Sequence, residues 1–216
     1  MYRAELKSMA KQQIKGNIGI LFVIQIIISA ISGAAGAIFG FIPIAGPLVV
    51  SIIITPAFSL SLMRIYLNLT KAQKPEVKDA FCGFDDFWSA FKVNFLVSLF
   101  TFLWSLLLII PGIIKSYSYS MSMFILAENK GMSALEAINR SKEMMHGHKM
   151  DLFVLGLSFI GWYLLGIITL GIGFIWIAPY IYTTTANFYN SIKPQSEVIP
   201  QDSGDPFAGY GTGSAE

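Results

Sequence analysis

Charge is missing from residues 16–63, 93–114 and 152–192, and apolar residues fill these runs without the alternation of a half-buried strand. About 20 apolar residues cross a bilayer as a helix, so the chain holds several spans. A spanning segment must satisfy its own backbone polar groups, and continuous apolar runs are unlike barrel strands, so helices are predicted.

Pro43, Gly46 and Pro47 divide the first run into spans at 18–39 and 48–67, and Thr169, Gly171 and Gly173 divide the last into 152–168 and 174–192. In the middle run, Pro111-Gly112 is a turn signal. It predicts short spans at 93–110 and 113–128 joined by a tight external hairpin. The expected architecture is all-α and polytopic: six transmembrane helices, forming three helical hairpins at about 18–67, 93–128 and 152–192.

Short amphipathic segments at about 2–15, 76–91 and 133–146 precede these hairpins and read as interfacial helices on the cytoplasmic side. Phe81, Phe84, Trp88 and Phe91 form an aromatic stripe opposite Asp79, Asp85, Asp86 and Ser89. Ser133 and Glu136 have capping-box spacing ahead of Leu135, Ile138 and Met145, while Leu6, Met9 and Ile14 among lysines make a poorer version at the start. Residues 194–216 are rich in Pro, Gly, Ser, Asp and Gln and read as a disordered cytoplasmic tail, with PFAGYGTG as an alternative partner-binding motif.

Lys and Arg favour the cytoplasmic ends of spans. Six spans place Arg3, Lys7, Lys11 and Lys15, then Lys71, Lys74, Lys78 and Lys92, then Lys130, Arg140, Lys142, Lys149 and Lys193 on the inner side, with Lys115 near the outer face. Five spans would put the cluster from Lys130 to Lys149 outside. The reading is therefore a multi-pass protein of a cytoplasmic membrane with both termini in the cytoplasm.

Within the middle run, SYSYSMSM at 116–123 looks like a strand but belongs to a predicted helix. At about 100° per residue, Ser116, Tyr119, Ser120 and Met123 share one face and Ser118 and Ser122 the opposite one. Hydroxyls pointing both ways suit a helix surrounded by other helices, or else a wet path lined by Ser116 and Ser120. With Gln25 and Thr184 they are the candidate polar interior of the bundle. At the N-terminus, SAISGAAGA resembles the end of a secretory signal peptide, but the apolar run is long, and Gly36-x-x-x-Gly40 with Gly33 offers a close-packing face for a retained helix.

The three inward loops end alike, with Lys15-Gly-Asn17, Lys92-Val-Asn94 and Lys149-Met-Asp151. Three parallel repeats of interfacial helix, polar joint and hairpin would give this pattern. Lys15, Asn17, Lys92, Asn94, Lys149 and Asp151 are thus candidate contacts to lipid headgroups, since a cation beside free amides can hold a phosphate. Solvated anchors and ordinary N-caps are the alternative.

Composition agrees with the pattern: 54% of the 216 residues are apolar, 13% are charged and mean hydropathy is +0.61. No Asp, Glu or His lies deep in a predicted span, which removes a proton relay or an intramembrane aspartyl pair. Gly156-Leu157-Ser158 faintly resembles a membrane serine protease but has no histidine in a span to activate it. His146 and His148 fall on different helix faces with no third ligand at metal spacing, Cys82 is single, and no phosphate-binding glycine loop is present. No catalytic residue, cofactor or metal is expected, nor a nucleic-acid partner.

Several segments resemble the bacterial integral membrane family known as domain of unknown function 975: PGIIKSYSYSM from Pro111, SKEMMHGHK from Ser141, LSFIGW from Leu157, TLGIGFIWIAPY from Thr169 and ANFY from Ala186. The opening YRAELKSMAK with Lys15-Gly-Asn17 fits as well. A more distant likeness is to the membrane domain attached to some glycerophosphodiester phosphodiesterases, whose catalytic domain this sequence lacks. The resemblance implies a bacterial membrane bundle and no particular activity. The expected function is that of a non-catalytic membrane scaffold, or a subunit binding membrane lipids, a membrane protein partner or further copies of itself. Alternatives are a small-solute transporter or channel, and a lipid-acting enzyme built on Asp85, Asp86, His146 or His148.

Overall fold

The computed structural model describes residues 3–39, 54–169, 171 and 173–193, and among them there are helices and turns but no strand. In chain order the α-helices are α1 (Arg3–Ile14), α2 (Ile18–Phe39), α3 (Thr55–Thr70), α4 (Phe87–Leu107), α5 (Ile109–Tyr119), α6 (Ser122–Glu128), α7 (Ala134–Met144), α8 (Lys149–Leu157), α9 (Ile160–Ile168) and α10 (Phe174–Ile192), with a 3-10 helix at Val77–Phe81. The first hairpin turn at Pro43 to Pro47 and the expected tail at 194–216 lie outside the described residues.

Three segments among the described residues, Ile18–Ile38, Phe87–Leu107 and Lys149–Ile168, are long and apolar enough to cross a membrane, where six were expected. The shortfall has physical causes. The described part of the second expected span starts only at Ile54, the fourth is cut in two at Ser120-Met121, and α10 carries Thr183, Thr184, Thr185, Asn187 and Asn190 along its C-terminal half.

The middle hairpin turns earlier than its proline suggests. Leu108 alone is extended, at φ −158° and ψ 135°, and α4 and α5 fold back about it, with Phe100 against Tyr119 and Lys115 over the ring of Trp104. Pro111 instead sits in the first turn of α5, where its missing N–H would have had no helical acceptor anyway. Gly112 packs against Ser105 across the hairpin.

Burial is unequal along the bundle. The following helices α3, α6 and α10 form the centre, with α3 between the other two; Leu60, Ile65, Tyr66, Met121, Ile125, Leu126 and Tyr189 are almost wholly buried. Tyr66 stacks on Tyr182 and Phe124 on Tyr189 across these contacts. The leading helices α2, α4 and α8–α9 lie outside, and their apolar ends emerge from the core: residues 102–110 are all exposed, as are 160–165. Removing apolar surface from water drives the core, so exposed ends as apolar as these need a non-aqueous surrounding.

Helix α1 is part of this core and not a loose attachment. Leu6, Ala10 and Ile14 fall on one face by the i, i+4, i+8 rule and are buried, chiefly along α10. Burying Leu6 and Ile14 stabilises by about 1.5–3 kcal/mol each. The joint that follows turns at Gly16, φ +96°, and the joint between α7 and α8 turns likewise at Gly147, φ +86°. This backbone region favours glycine. The middle joint differs, because α4 already begins at Phe87: Trp88 and Phe91 belong to the apolar helix itself, and the expected interfacial helix at 76–91 is reduced to the 3-10 turn and a loop. In α7 the Ser133 hydroxyl accepts the N–H of Glu136 at 3.3 Å; the buried face is Ala134, Ala137, Ile138 and Ser141, and Leu135 points outward.

Candidate functional site

Polar side chains gather at the C-terminal ends of the central helices α3, α6 and α10. Glu128 closes α6, and its carboxylate accepts from Lys71 Nζ at 3.2 Å, Lys193 Nζ at 2.9 Å and Tyr189 Oη at 2.8 Å. Lys71 caps α3 and Lys193 caps α10, so three helix C-termini meet at one carboxylate. A carboxylate is misplaced at the negative end of a helix, whereas lysines there are favoured. Two ammonium groups therefore stabilise both the carboxylate and the three clustered dipoles. Asn190 Nδ2 donates to Thr70 Oγ1 at 2.9 Å beside them.

Arg64, buried on α3, makes the second cluster. Its Nη1 donates to the carbonyl of Cys82 at 2.6 Å, and its Nη2 pairs with Asp86, which precedes α4. The loop docks closely here: the N–H of Gly83 donates to Ser61 Oγ at 2.8 Å, and a Cβ at residue 83 would stand 2.8 Å from Ser61 N and run into the Ala57 carbonyl. Burial pushes the Cys82 thiol above its ordinary pKa, against the pull of Arg64.

Helix α1 supplies the third. Gln13 and Asn187 exchange two amide hydrogen bonds, at 3.2 and 2.8 Å. Lys7 Nζ donates to the carbonyl of Ser158 at 3.0 Å, at the break between α8 and α9, and lies 4.3 Å from the centre of the Phe159 ring. Burial and the neighbouring Lys11 lower its pKa. The other break, at Ser120-Met121, is closed by Ser141 of α7, whose hydroxyl accepts the N–H of Met121 at 3.2 Å and donates to the carbonyl of Ser118 at 2.8 Å.

The candidate headgroup contacts from the sequence lie on three separate elements. Lys15 and Asn17 are in the turn before α2, Lys92 and Asn94 are in the second turn of α4, and Lys149 and Asp151 are in the first turn of α8. Asn17 Nδ2 reaches back to the carbonyl of Gln13 at 3.4 Å, Asn94 Oδ1 lies 3.5 Å from Ser98 Oγ, and Asp151 lies 3.3 Å from His148 Nδ1. Of the polar set, Thr184 is buried and bonds the carbonyl of Tyr180 at 2.7 Å, while Gln25 is half-buried with its Oε1 unpartnered among the described residues. Ser116 is half-buried and Ser120 exposed, each donating to the carbonyl three residues back. Ser118 and Ser122 take the buried face.

The residues with the most polar contacts were missed from the sequence. Arg64 falls inside the expected second span, and a lone charge within an apolar run calls for a partner; that signal was available, but spacing could not single out Asp86. Among the described residues no group of three His, Cys, Asp or Glu side chains could hold a metal ion. The clusters join helices and hold them in register.

A family model described as "Protein of unknown function (DUF975)" matches the chain over residues 1–115 and 106–196. No curated protein and no solved structure matches it. With matches covering nearly the whole sequence, the chain belongs to this family of unknown function.

Proposed function

We propose that the chain is a non-catalytic integral membrane protein, a scaffold or a subunit that holds lipid or a protein partner in the cytoplasmic membrane of a bacterium. In this reading it crosses the membrane six times as three hairpins and keeps both termini in the cytoplasm. The exposed apolar ends about Leu108 and Ile168 support lipid contact, and the lysines at the opposite helix ends support an inward-facing core.

The observation that carries the reading is the use of the buried charges. Arg64 is engaged by Asp86 and Glu128 by Lys71 and Lys193, so these charges join helix to helix. Polar groups spent on joining helices leave the outer surface for recognition: the aromatic patch of Phe81, Phe84 and Trp88, and the lysines of α1.

Extraction from the native membrane in mild detergent, followed by native mass measurement, tests this. Retention of a second protein or of lipid at defined stoichiometry is expected. A bare monomer, or a closed homo-oligomer that conducts solute in liposomes, would overturn it.

A further inference from the structure

Between α2, α9 and α10 lies a groove of about 200 Å³ lined by Ile18, Phe22, Trp162, Trp176 and Ile177, with Lys11 of α1 at one end. Phe22 and Trp176 meet at 6.1 Å between ring centres, and Trp162 packs edge-on against Tyr180 at 5.7 Å. Among the described residues the groove is left open: Trp176 is 59% exposed and Ile18 38%. Its walls are largely apolar, and among the described residues the one charged group lining it is the Lys11 ammonium.

The charge pattern of α1 indicates what belongs there. Lys7 and Lys11 stand at i and i+4 on α1, and Lys15 follows in the turn just after it with its N–H on the Lys11 carbonyl at 3.1 Å, so like charges crowd this end of the helix and destabilise it. Lys7 is engaged by the Ser158 carbonyl and the Phe159 ring. Lys11 lies 5.8 Å from the Tyr180 ring, and among the described residues no carboxylate pairs with Lys11 or Lys15. An anion at Lys11 would relieve the repulsion. An apolar chain continuing from that anion would cover the groove.

We propose that this groove holds an acyl chain of an anionic glycerophospholipid, with the headgroup phosphate against Lys11 and Lys15 flanking it. This rests on the reading of the chain as a lipid-holding membrane protein and names the lipid class and its seat. A lipid satisfies both halves of the site at once: the chain fills the carbon-lined cleft, and the lysine stem lies along apolar surface while its head meets phosphate. A soluble anion would leave the cleft open, and an apolar helix from a partner would leave the lysines unanswered.

The test uses the full chain in mild detergent, titrated with dioleoyl phosphatidylglycerol or dioleoyl phosphatidylcholine and read by native mass spectrometry. One phosphatidylglycerol is expected to be retained in preference to phosphatidylcholine. Lys11→Gln should reduce that preference about fivefold, the worth of one lysine near an anionic headgroup, whereas Lys74→Gln, on the loop after α3, should leave it unchanged. Ile18→Trp, which fills the groove at a part-exposed position, should weaken both lipids. Equal retention of the two lipids by the native chain, or an undiminished preference in Lys11→Gln, overturns the groove assignment. An equal loss in Lys74→Gln also overturns it, by assigning the preference to net charge. If the native chain retains neither lipid nor protein, the scaffold reading itself fails.

Discussion

The side-chain amides of Gln13 and Asn187, 174 residues apart, face each other in a reciprocal pair, each donating to the other's oxygen, at 3.2 and 2.8 Å. This pair ties the start of the chain to its last helix. Removing one amide leaves the other part-buried and unpaired, which costs about 1–3 kcal/mol. Gln13→Leu should therefore lower the thermal midpoint in detergent, and Gln13→Leu with Asn187→Leu should recover part of the loss. Equal and additive losses would show that the amides act independently.

Arg64 and Asp86 make a stronger version of the same argument, because the guanidinium is buried and charged. Breaking a buried pair by removing one partner costs about 3–5 kcal/mol, while replacing both by apolar residues is often neutral. Asp86→Ala is expected to yield little folded protein, and Arg64→Met with Asp86→Leu substantially more. Detergent-solubilised yield and size-exclusion profile distinguish the two.

Ser141 is expected to matter more than its size suggests. Its hydroxyl answers both an N–H and a carbonyl at the break between α5 and α6, where no helical partner reaches. Ser141→Ala leaves both buried groups unpaired at about 1–3 kcal/mol each, so Met121 and Ser122 amides should exchange hydrogen faster than those at Ile125 and Leu126. Unchanged protection across the break would refute the bridging role.

These three contacts also mark what the sequence could and could not reveal. The amphipathic start and the Ser133 cap are local signals, readable within a few turns of chain, although α1 buries Ala10 with Leu6 and Ile14 where Met9 was expected; of the six spans expected from the apolar runs, three segments among the described residues are long and apolar enough to cross. The middle hairpin was misplaced by three residues because proline signals a turn but is equally at ease in the first turn of a helix, and nothing local distinguishes the two at Pro111. SYSYSMSM is helical on both sides of Ser120-Met121, and the break depends on Ser141, more than a dozen residues further on. The polar clusters are longer-range still: Glu128 meets Lys71 and Lys193 because three helix ends converge, and no spacing in a single sequence encodes that convergence.

Cys82 offers a chemical probe of the docked loop. Its thiol is half-buried and its pKa raised, chiefly by desolvation, so the reactive thiolate is scarce at neutral pH. Alkylation by iodoacetamide in detergent should be slow at pH 7 and accelerate only above the ordinary thiol value of 9.0. Gly83→Ala, which forces the loop away from Ala57 and Ser61, should make the same thiol react faster at pH 7. Rapid alkylation of the unaltered chain would mean that the loop is not seated on α3.

The number of crossings can be decided by labelling intact cells. In the six-crossing reading Leu108 stands at the outer turn, 61% exposed, while Cys82 and Lys74 stand on the inner side. Leu108→Cys in a Cys82→Ser background should react with a membrane-impermeant maleimide added outside, and Lys74→Cys should react only after the cells are opened. Leu108 serves better than Gly112, which packs against Ser105 and would shield a cysteine from either side. Labelling of Lys74→Cys from outside would reverse the orientation. If both cysteines stay silent until lysis, α4 and α5 turn back without reaching the outer face, and of the three long apolar segments Ile18–Ile38 and Lys149–Ile168 would remain as candidates to cross.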